Sequence, residues 1–600
     1  MASELPKDPT PPGVYLLTEA ALRSASVGAQ ALCAELESVG RFRVGAHGLL
    51  SSQASRDGFR LWMEGILTSR PPSGCDEADV VLEAFIDGGP EAVARLDGFF
   101  AAIVVEPGLE RAHFIGDALS TRPHYVYQRG EVVAIAPSPR FFVQCGFSMS
   151  LDRLALYQLL RLMHTCSDRS LAAEFRRTRP GTSYGVWVDG RVESRVARRF
   201  VQAENASLTL DDLADWIKEL VAHSVVGVVE HPKLCERAIE LPLTAGMDSR
   251  HILGELLERG RPPSKIRHVR IVDAEYQAAK RIADHLGIAM RAPDLQQLDY
   301  EKLLLHWARR SAAELHLHQF YLLDILDDVP AGGSVGFDGH LMDWLLGQYQ
   351  KRVLPKSGDP TYRIWNRTYE APPLRMLMRD APELARESHA DMYRQVAHFD
   401  GAPWFKMMML DLQHRGTKYT GGAYPIAGDA ALYFAPGGHV RSLDFVCGAP
   451  FAVGSEKRAR LRVMQRDFPE LAALPDNKGV PYTDYQTFRK KPLGASSWLR
   501  KFLPGLLSAG RIESAPESEH AWMRRRPTLR AMHQRLVDQS LLAQDGELSA
   551  TALAALWRYS ELGGLAGHTF TKLMTAEAGY RLLIKGQSPE QLVAWMLARD

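Results

Sequence analysis

The sequence predicts two architectures in series: a β-rich α+β unit over residues 1–205, then a helix-rich α/β unit over 206–600 built on a parallel sheet. Up to about residue 200, short apolar or alternating runs are separated by Gly- and Pro-containing turns, the texture of strands. After about residue 205, long helical periods dominate and only a few strands interrupt them, as a parallel sheet with crossover helices requires. The third observation is a junction. An apolar strand over 238–243 runs through Thr-Ala-Gly-Met-Asp-Ser into a helical pattern at His251.

In order along the chain, Phe59-Arg-Leu-Trp-Met, Phe99-Phe-Ala-Ala-Ile-Val-Val, His113-Phe-Ile and Val132-Val-Ala-Ile-Ala read as strands, being rich in β-branched and aromatic residues. Residues 76–85 and 151–163 space their apolar side chains as helices do. Arg179-Pro-Gly-Thr-Ser-Tyr-Gly-Val-Trp-Val-Asp-Gly reads as a closing hairpin. In the second unit a helix over 208–228 leads to the strand at 238–243. Ile266-Arg-His-Val-Arg-Ile and Ser334-Val-Gly-Phe are the next strands, and 273–287 is the helix following the former. From about 380 the chain reads as almost all helix, with 505–526 an exposed excursion and Arg524-Arg-Arg a solvated face.

Composition narrows the function classes. At 600 residues the chain holds two or more domains, and 46% hydrophobic with 24% charged residues is ordinary for a globular protein. A net charge of +1 offers nothing to nucleic acid or an anionic membrane surface. No run reaches the roughly 18 apolar residues that a bilayer span needs, and the first residues lack the basic and apolar regions of a signal peptide. The six cysteines show no CxxC or close Cys/His pairing, which argues against a zinc site or a disulfide framework. A soluble cytoplasmic protein is expected.

The junction at 243–249 carries chemistry. A strand ending in small and hydroxyl residues at a helix N-terminus presents free N–H groups and the positive end of a helix dipole to an anion. Gly246 allows close approach or a positive φ, and Thr244 and Ser249 add hydroxyl donors. Asp248 repels a bare phosphate and is suited to holding Mg²⁺ against it. An ordinary strand–turn–helix corner with a capping Asp or Ser is the alternative. The string Leu243-Thr-Ala-Gly-Met-Asp-Ser249 resembles the Ser-Gly-Gly-x-Asp-Ser pyrophosphate loop of the ATP-pyrophosphatase group, to which the asparagine synthetases belong, with Thr244 and Ala245 replacing Ser and Gly. The resemblance implies that Leu243, Thr244, Ala245, Gly246, Met247, Asp248 and Ser249 bind ATP and pyrophosphate.

Further motifs follow in that family's order. Gly74-Cys-Asp-Glu, Arg95-Leu-Asp-Gly-Phe-Phe-Ala, Phe114-Ile-Gly-Asp-Ala-Leu-Ser-Thr-Arg-Pro-His-Tyr125 and Val132-Val-Ala-Ile-Ala-Pro-Ser together resemble the glutaminase domain of class B asparagine synthetases, with Asp117, Arg122, Pro123 and Tyr125 in register. The implied fold is a glutaminase-like, Ntn-hydrolase-like α+β sandwich, followed by an α/β ATP-pyrophosphatase (adenine nucleotide α-hydrolase-like) synthetase domain. That family uses a cysteine directly after the initiator Met, whose free amine assists its thiolate. Ala2 stands here, about a dozen residues precede the first strand, and Glu64-Gly65 replaces the family's Asn-Gly. The expectation is a glutaminase fold without glutaminase activity.

Ser334-Val-Gly-Phe-Asp-Gly-His-Leu-Met-Asp-Trp-Leu-Leu-Gly-Gln-Tyr349 aligns with the family's second phosphate segment. By that resemblance Gly339 borders the nucleotide and Asp343 joins Asp248 as a metal ligand. His340 takes a position where β-lactam synthetases carry a catalytic Tyr. It is either a base for an attacking amine or a residue that hydrogen-bonds the loop. Ser455-Glu-Lys-Arg-Ala-Arg-Leu-Arg462 and Asp476-Asn-Lys-Gly-Val-Pro resemble the family's last motif, which makes Lys478 the catalytic lysine and Lys457 a weaker phosphate candidate. Ile271 and Val272 are expected to meet adenine through their backbones.

The expected cofactors are ATP and Mg²⁺, and the expected reaction is adenylation of a carboxylate followed by amine attack. With no amine from glutamine, one on the substrate itself has the higher effective concentration. Macrolactam closure of a lasso-type peptide is therefore the leading expectation, with a leader peptidase and a peptide-recognition protein as partners. An ammonia-using or β-lactam synthetase-like ligase on a small molecule and a non-catalytic scaffold are the alternatives.

Overall fold

The computed structural model describes residues 10–26, 33–106, 108, 110–244, 246–270, 272–294, 297–347, 358–361, 374–420, 428–485, 527–561 and 568–598. Ala2, Ala245, Ile271 and 505–526 with Arg524-Arg-Arg lie outside the described residues.

Twelve strands come first: β1 (Gly13–Thr18), β2 (Glu37–Val39), β3 (Phe42–His47), β4 (Ser51–Arg56), β5 (Phe59–Leu67), β6 (Gly98–Glu106), β7 (Arg111–Gly116), β8 (Tyr125–Arg129), β9 (Val132–Ala136), β10 (Phe175–Arg177), β11 (Thr182–Trp187) and β12 (Val192–Val196). They form two six-stranded sheets, ordered β10-β8-β9-β1-β3-β2 and β12-β11-β7-β6-β5-β4, with every pairing antiparallel. The sheets stack through Val14 and Leu16 of β1, Ala101, Ile103 and Val105 of β6, and Phe114 of β7. The alternate residues of β6, Phe100, Ala102 and Val104, face outward and meet Ala78, Val81, Leu82 and Phe85 of the helix Glu77–Val93. On the other side Tyr15 and Leu17 of β1 meet the helices Pro139–Gln144 and Arg153–Leu162. Both faces of each sheet are thus covered. That is why β6 reads Phe-Phe-Ala-Ala-Ile-Val-Val without alternation.

A short parallel pair, β13 (Phe200–Val201) with β18 (Phe399–Asp400), ties the end of the sandwich to the chain beyond. The second unit centres on a five-stranded, wholly parallel sheet of β14 (Ala238–Pro242), β15 (Lys265–Arg267), β16 (Met290–Arg291), β17 (Ser334–Phe337) and β19 (Ala431–Phe434). Its order is β16-β15-β14-β17-β19. The first strand therefore lies between the second and the fourth, so strand order reverses between β14 and β17. In open α/β sheets such a reversal is where ligands bind, beyond the carboxyl ends of the strands.

Two sequence expectations need correction. The strand expected over 266–271 ends at Arg267, with one isolated bridge at Arg270. The region after 380 is not purely helical, because Ala431-Leu-Tyr-Phe434 closes the parallel sheet. Its four residues are too few to show a period. Of the two freedoms considered for Gly246, close approach or a positive φ, the second is not used, since its φ is −73°.

The helices Pro527–Gln539, Ala550–Glu561, His568–Gly579 and Pro589–Leu597 do not cover the parallel sheet. Leu536, Leu553, Leu573 and Leu592 share one core with Tyr15, Phe142, Leu160 and Trp307, so this end of the chain reinforces the outer layer of the sandwich. Among the described residues no helix is long and apolar enough to cross a membrane.

Candidate active site at the reversal of the parallel sheet

β14 delivers its chain to Thr244, Gly246 and the helix Met247–Glu258, for which Gly246 is the N-cap without a side-chain bond. The loop is held by its own hydroxyls. Thr244 N–H donates to Ser249 Oγ at 3.2 Å, and Gly246 N–H donates to Thr244 Oγ1 at 3.1 Å. Leu243 is fully buried, its N–H given to Arg267 O at 3.0 Å and its carbonyl 2.9 Å from His268 Nδ1. Met247 is buried beneath the loop. The strand end is therefore rigid, and Thr244 is exposed at the tip where an anion would approach the helix N-terminus.

β17 delivers Asp338, Gly339, His340 and Asp343 alongside. The two loops approach so closely that a Cβ on Gly339 would lie 2.5 Å from Asp248 Cβ, which only glycine avoids. Leu341 takes φ +70°, an uncommon conformation for a branched side chain, and turns the chain into the short helix Met342–Leu345 that carries Asp343. Asp248 and Asp343, 95 positions apart in sequence, are brought close enough to pair with the same nitrogen of Arg460.

Two cations meet this pair. Arg460, with no solvent exposure, forms ion pairs through Nη1 with Asp248 and, at 3.1 Å, with Asp343 Oδ1, and Lys457 Nζ also pairs with Asp343. Glu456 and Lys457 are consecutive left-handed residues, at φ +67° and +61°, and Lys457 N–H donates to Gly347 O at 3.1 Å. Strain thus collects where the charges meet. Burial pushes the Asp248 carboxyl above its ordinary range despite Arg460. At Asp343 the same desolvation is outweighed by Lys457 and Arg460, and the carboxyl is held low. The sequence placed Asp248 and Asp343 across the phosphates from one another and did not foresee Arg460. Its only signal was a third basic residue in Lys457-Arg-Ala-Arg460. Two converging carboxylates are a donor set that fits a hard divalent cation, and Asp248 and Asp343 are the residues that would hold Mg²⁺.

His340 is oriented by a neighbour in the same turn. Its Nδ1 lies 2.8 Å from Asp338 Oδ2, and its N–H donates to Asp338 Oδ1 at 3.1 Å. It lines a cavity of about 20 Å³ with Phe99, Thr121 and Arg122 of the sandwich, Tyr433 and Phe434 of β19, and Ala435 just after it. Asp338 was not picked out in the sequence, although Asp338-Gly-His340 is its signature.

Lys478 is exposed on a loop closed by Asp476, whose Oδ1 accepts Lys478 N–H at 2.7 Å and Val480 N–H at 3.2 Å. A third residue outside the sequence reading, Arg250, links that loop to the helix Met247–Glu258. It is fully buried and donates to Leu471 O (2.9 Å), Leu474 O (2.6 Å) and Pro475 O (2.7 Å), with its guanidinium 4.8 Å from the Tyr482 ring centre. The first two acceptors belong to the end of the helix Pro469–Ala473, where carbonyls lack intrahelical donors. Val272 caps the helix Asp273–Leu286, and its carbonyl accepts the Glu275 and Tyr276 N–H groups.

In the sandwich, Pro12 precedes β1 and packs against Gly48 and Gly428. Buried Glu64 lies 3.8 Å from Arg122 Nε, and burial raises its carboxyl despite that cation. Asp117 accepts the Leu119 and Thr121 N–H groups and the Thr121 hydroxyl, yet burial still pushes it up to about 6.

Residues 72–197 match the family model of a glutamine amidotransferase domain. No curated protein matches. Two solved structures show how remote the likeness is. The glutamine phosphoribosylpyrophosphate amidotransferase of B. subtilis, complexed with ADP and GMP, is 11% identical over 55% of this chain and 70% of its own, with a TM-score of 0.20. A structure described as the allosteric regulatory enzyme of purine biosynthesis is 12% identical over 48% of this chain and 75% of its own, with a TM-score of 0.21. Likenesses this distant add nothing to the topology. The domain match lies within the sandwich and leaves out β1–β5.

Proposed function

We propose that the chain is an ATP-dependent, AMP-forming amide ligase that does not hydrolyse glutamine. The observation that supports this best is the convergence of Asp248 and Asp343 at the carboxyl ends of β14 and β17, where strand order reverses. A helix N-terminus, a hydroxyl-lined loop and two carboxylates at one point suit a nucleotide polyphosphate and its metal. Bound there, Mg²⁺ would supply neutralisation of charge on the departing pyrophosphate. Thr244, Gly246 and Ser249 would cradle the phosphates, and Lys478 would offset charge on the activated carboxylate. His340, turned by Asp338 in the manner of a carboxylate-oriented base, would take the proton of the attacking amine.

The nitrogen source is inferred from the sandwich. Pro12 stands in front of β1 with neither a thiol nor an N–H, and Glu64 and Arg122 fill the interior nearby. Among the described residues no cysteine stands at the start of β1, which supports an amine carried by the substrate. We favour macrolactam closure of a lasso-type peptide, with a leader peptidase and a peptide-recognition protein as partners. A β-lactam synthetase-like or ammonia-using ligase on a small molecule is the second reading.

ATP–pyrophosphate exchange, driven by candidate carboxylic acids and by short peptides bearing an Asp or Glu side chain, tests the ligase. Exchange lost in Asp248→Asn is expected. No exchange and no nucleotide binding would leave the scaffold alternative standing. With a cyclising peptide, His340→Ala should retain exchange and lose ring closure, and unchanged closure removes the base role.

A further inference from the structure

We propose that Arg460 is the resident cation of the Asp248–Asp343 pair and makes divalent-metal binding there conditional on the nucleotide. This rests on the adenylation reading above and adds a regulation to the same site. The Arg460 side chain has no solvent exposure, and one of its nitrogens, Nη1, bridges both carboxylates. Its Nε and Nη2 are buried without a hydrogen-bond partner among the described residues. A guanidinium buried with two donors unused is costly in itself, and its pairing with the two acids is what holds it. Lys457 adds a second cation, fixed by two left-handed residues and by its bond to Gly347 O.

The charge count decides the behaviour. Two carboxylates face one guanidinium and one ammonium, so the cluster is neutral before any ligand arrives. A bare divalent ion would bring two positive charges against two cations, of which Arg460 is wholly enclosed and cannot leave by rotating into water. At contact distances such repulsion lowers affinity by about a hundredfold or more. A metal carried by a polyphosphate reverses the sign, because the phosphates bring more negative charge than the ion brings positive. The carboxylates then act as ligands to a complex and not as a trap for free ions. A site of this kind does not fill with Mg²⁺ between turnovers, so metal and nucleotide enter together.

The test uses the full chain and Mn²⁺, whose free-ion paramagnetic resonance signal falls on binding. The wild-type protein should leave the signal of Mn²⁺ alone unchanged and reduce it stoichiometrically once ATP is added. Arg460→Met should bind Mn²⁺ without nucleotide, about a hundredfold tighter than wild type, and adding Asp343→Asn to that variant should abolish the gain. Lys457→Met, at a partly exposed position, should give a smaller gain in the same direction and serves if Arg460→Met does not fold. Tight binding of Mn²⁺ alone by the wild type, lost in Asp248→Asn, overturns the proposal. Absence of binding by Mn²⁺ with ATP, in any variant, overturns the adenylation reading instead.

Discussion

Replacing Arg250 with Met should loosen the loop that carries Lys478 more than it destabilises the molecule. The side chain gives three hydrogen bonds to carbonyls, of Leu471, Leu474 and Pro475, at 2.6–2.9 Å. Methionine keeps most of the volume but leaves three acceptors without a donor. Each buried acceptor so abandoned costs about 1–3 kcal/mol, which sets a ceiling of about 9 kcal/mol if nothing moves. The loop can move, however. Residues 477–479 are exposed, and hydration of the freed carbonyls through local opening costs less than global unfolding. The expected result is a modest fall in urea midpoint, together with a large loss of amide-exchange protection confined to 474–480. The pyrophosphate-exchange rate should fall about tenfold or more as Lys478 loses its position, with Arg250→Lys intermediate because an ammonium lacks the planar fork. Wild-type protection at 474–480 in Arg250→Met, with unchanged nucleotide kinetics, would refute the positioning role.

Two further outcomes are expected. Gly339→Ala places a Cβ 2.5 Å from Asp248 Cβ and must push the two loops apart. It should cost about 1–3 kcal/mol in chemical denaturation and abolish metal-dependent nucleotide binding; retained binding would show that the loops are not locked together. His533 is buried against Trp557 and Phe570, and burial alone lowers it to about 4. Because the unfolded chain takes up a proton near pH 6.5 that the folded chain refuses until about pH 4, stability should fall as pH drops through that window. The loss should reach about 3 kcal/mol for this residue, and His533→Gln should flatten the stability profile between those limits. Parallel profiles for the two proteins would dismiss the assignment.

What the sequence determined by itself were the features that local pattern can carry. The continuous apolar run of β6 announced a strand, and the strand–hydroxyl–helix junction at 243–249 announced a strand that turns directly into a helix. Both depend on residues within a few positions of one another, where periodicity and backbone chemistry act directly. The tertiary structure decided which distant segments meet. Pairing β14 with β17 put Asp343 beside Asp248. The helix Arg458–Asp467 then brought Arg460 between them, turning an expected metal pair into a neutral cluster. Arg250 likewise has its acceptors more than two hundred residues away, and the short strand Ala431–Phe434 is recognisable only by the neighbour it pairs with. Charge partners and edge strands are chosen by the folded surroundings, since a buried cation is stable only where acceptors from elsewhere in the chain converge on it. No window of sequence contains that convergence.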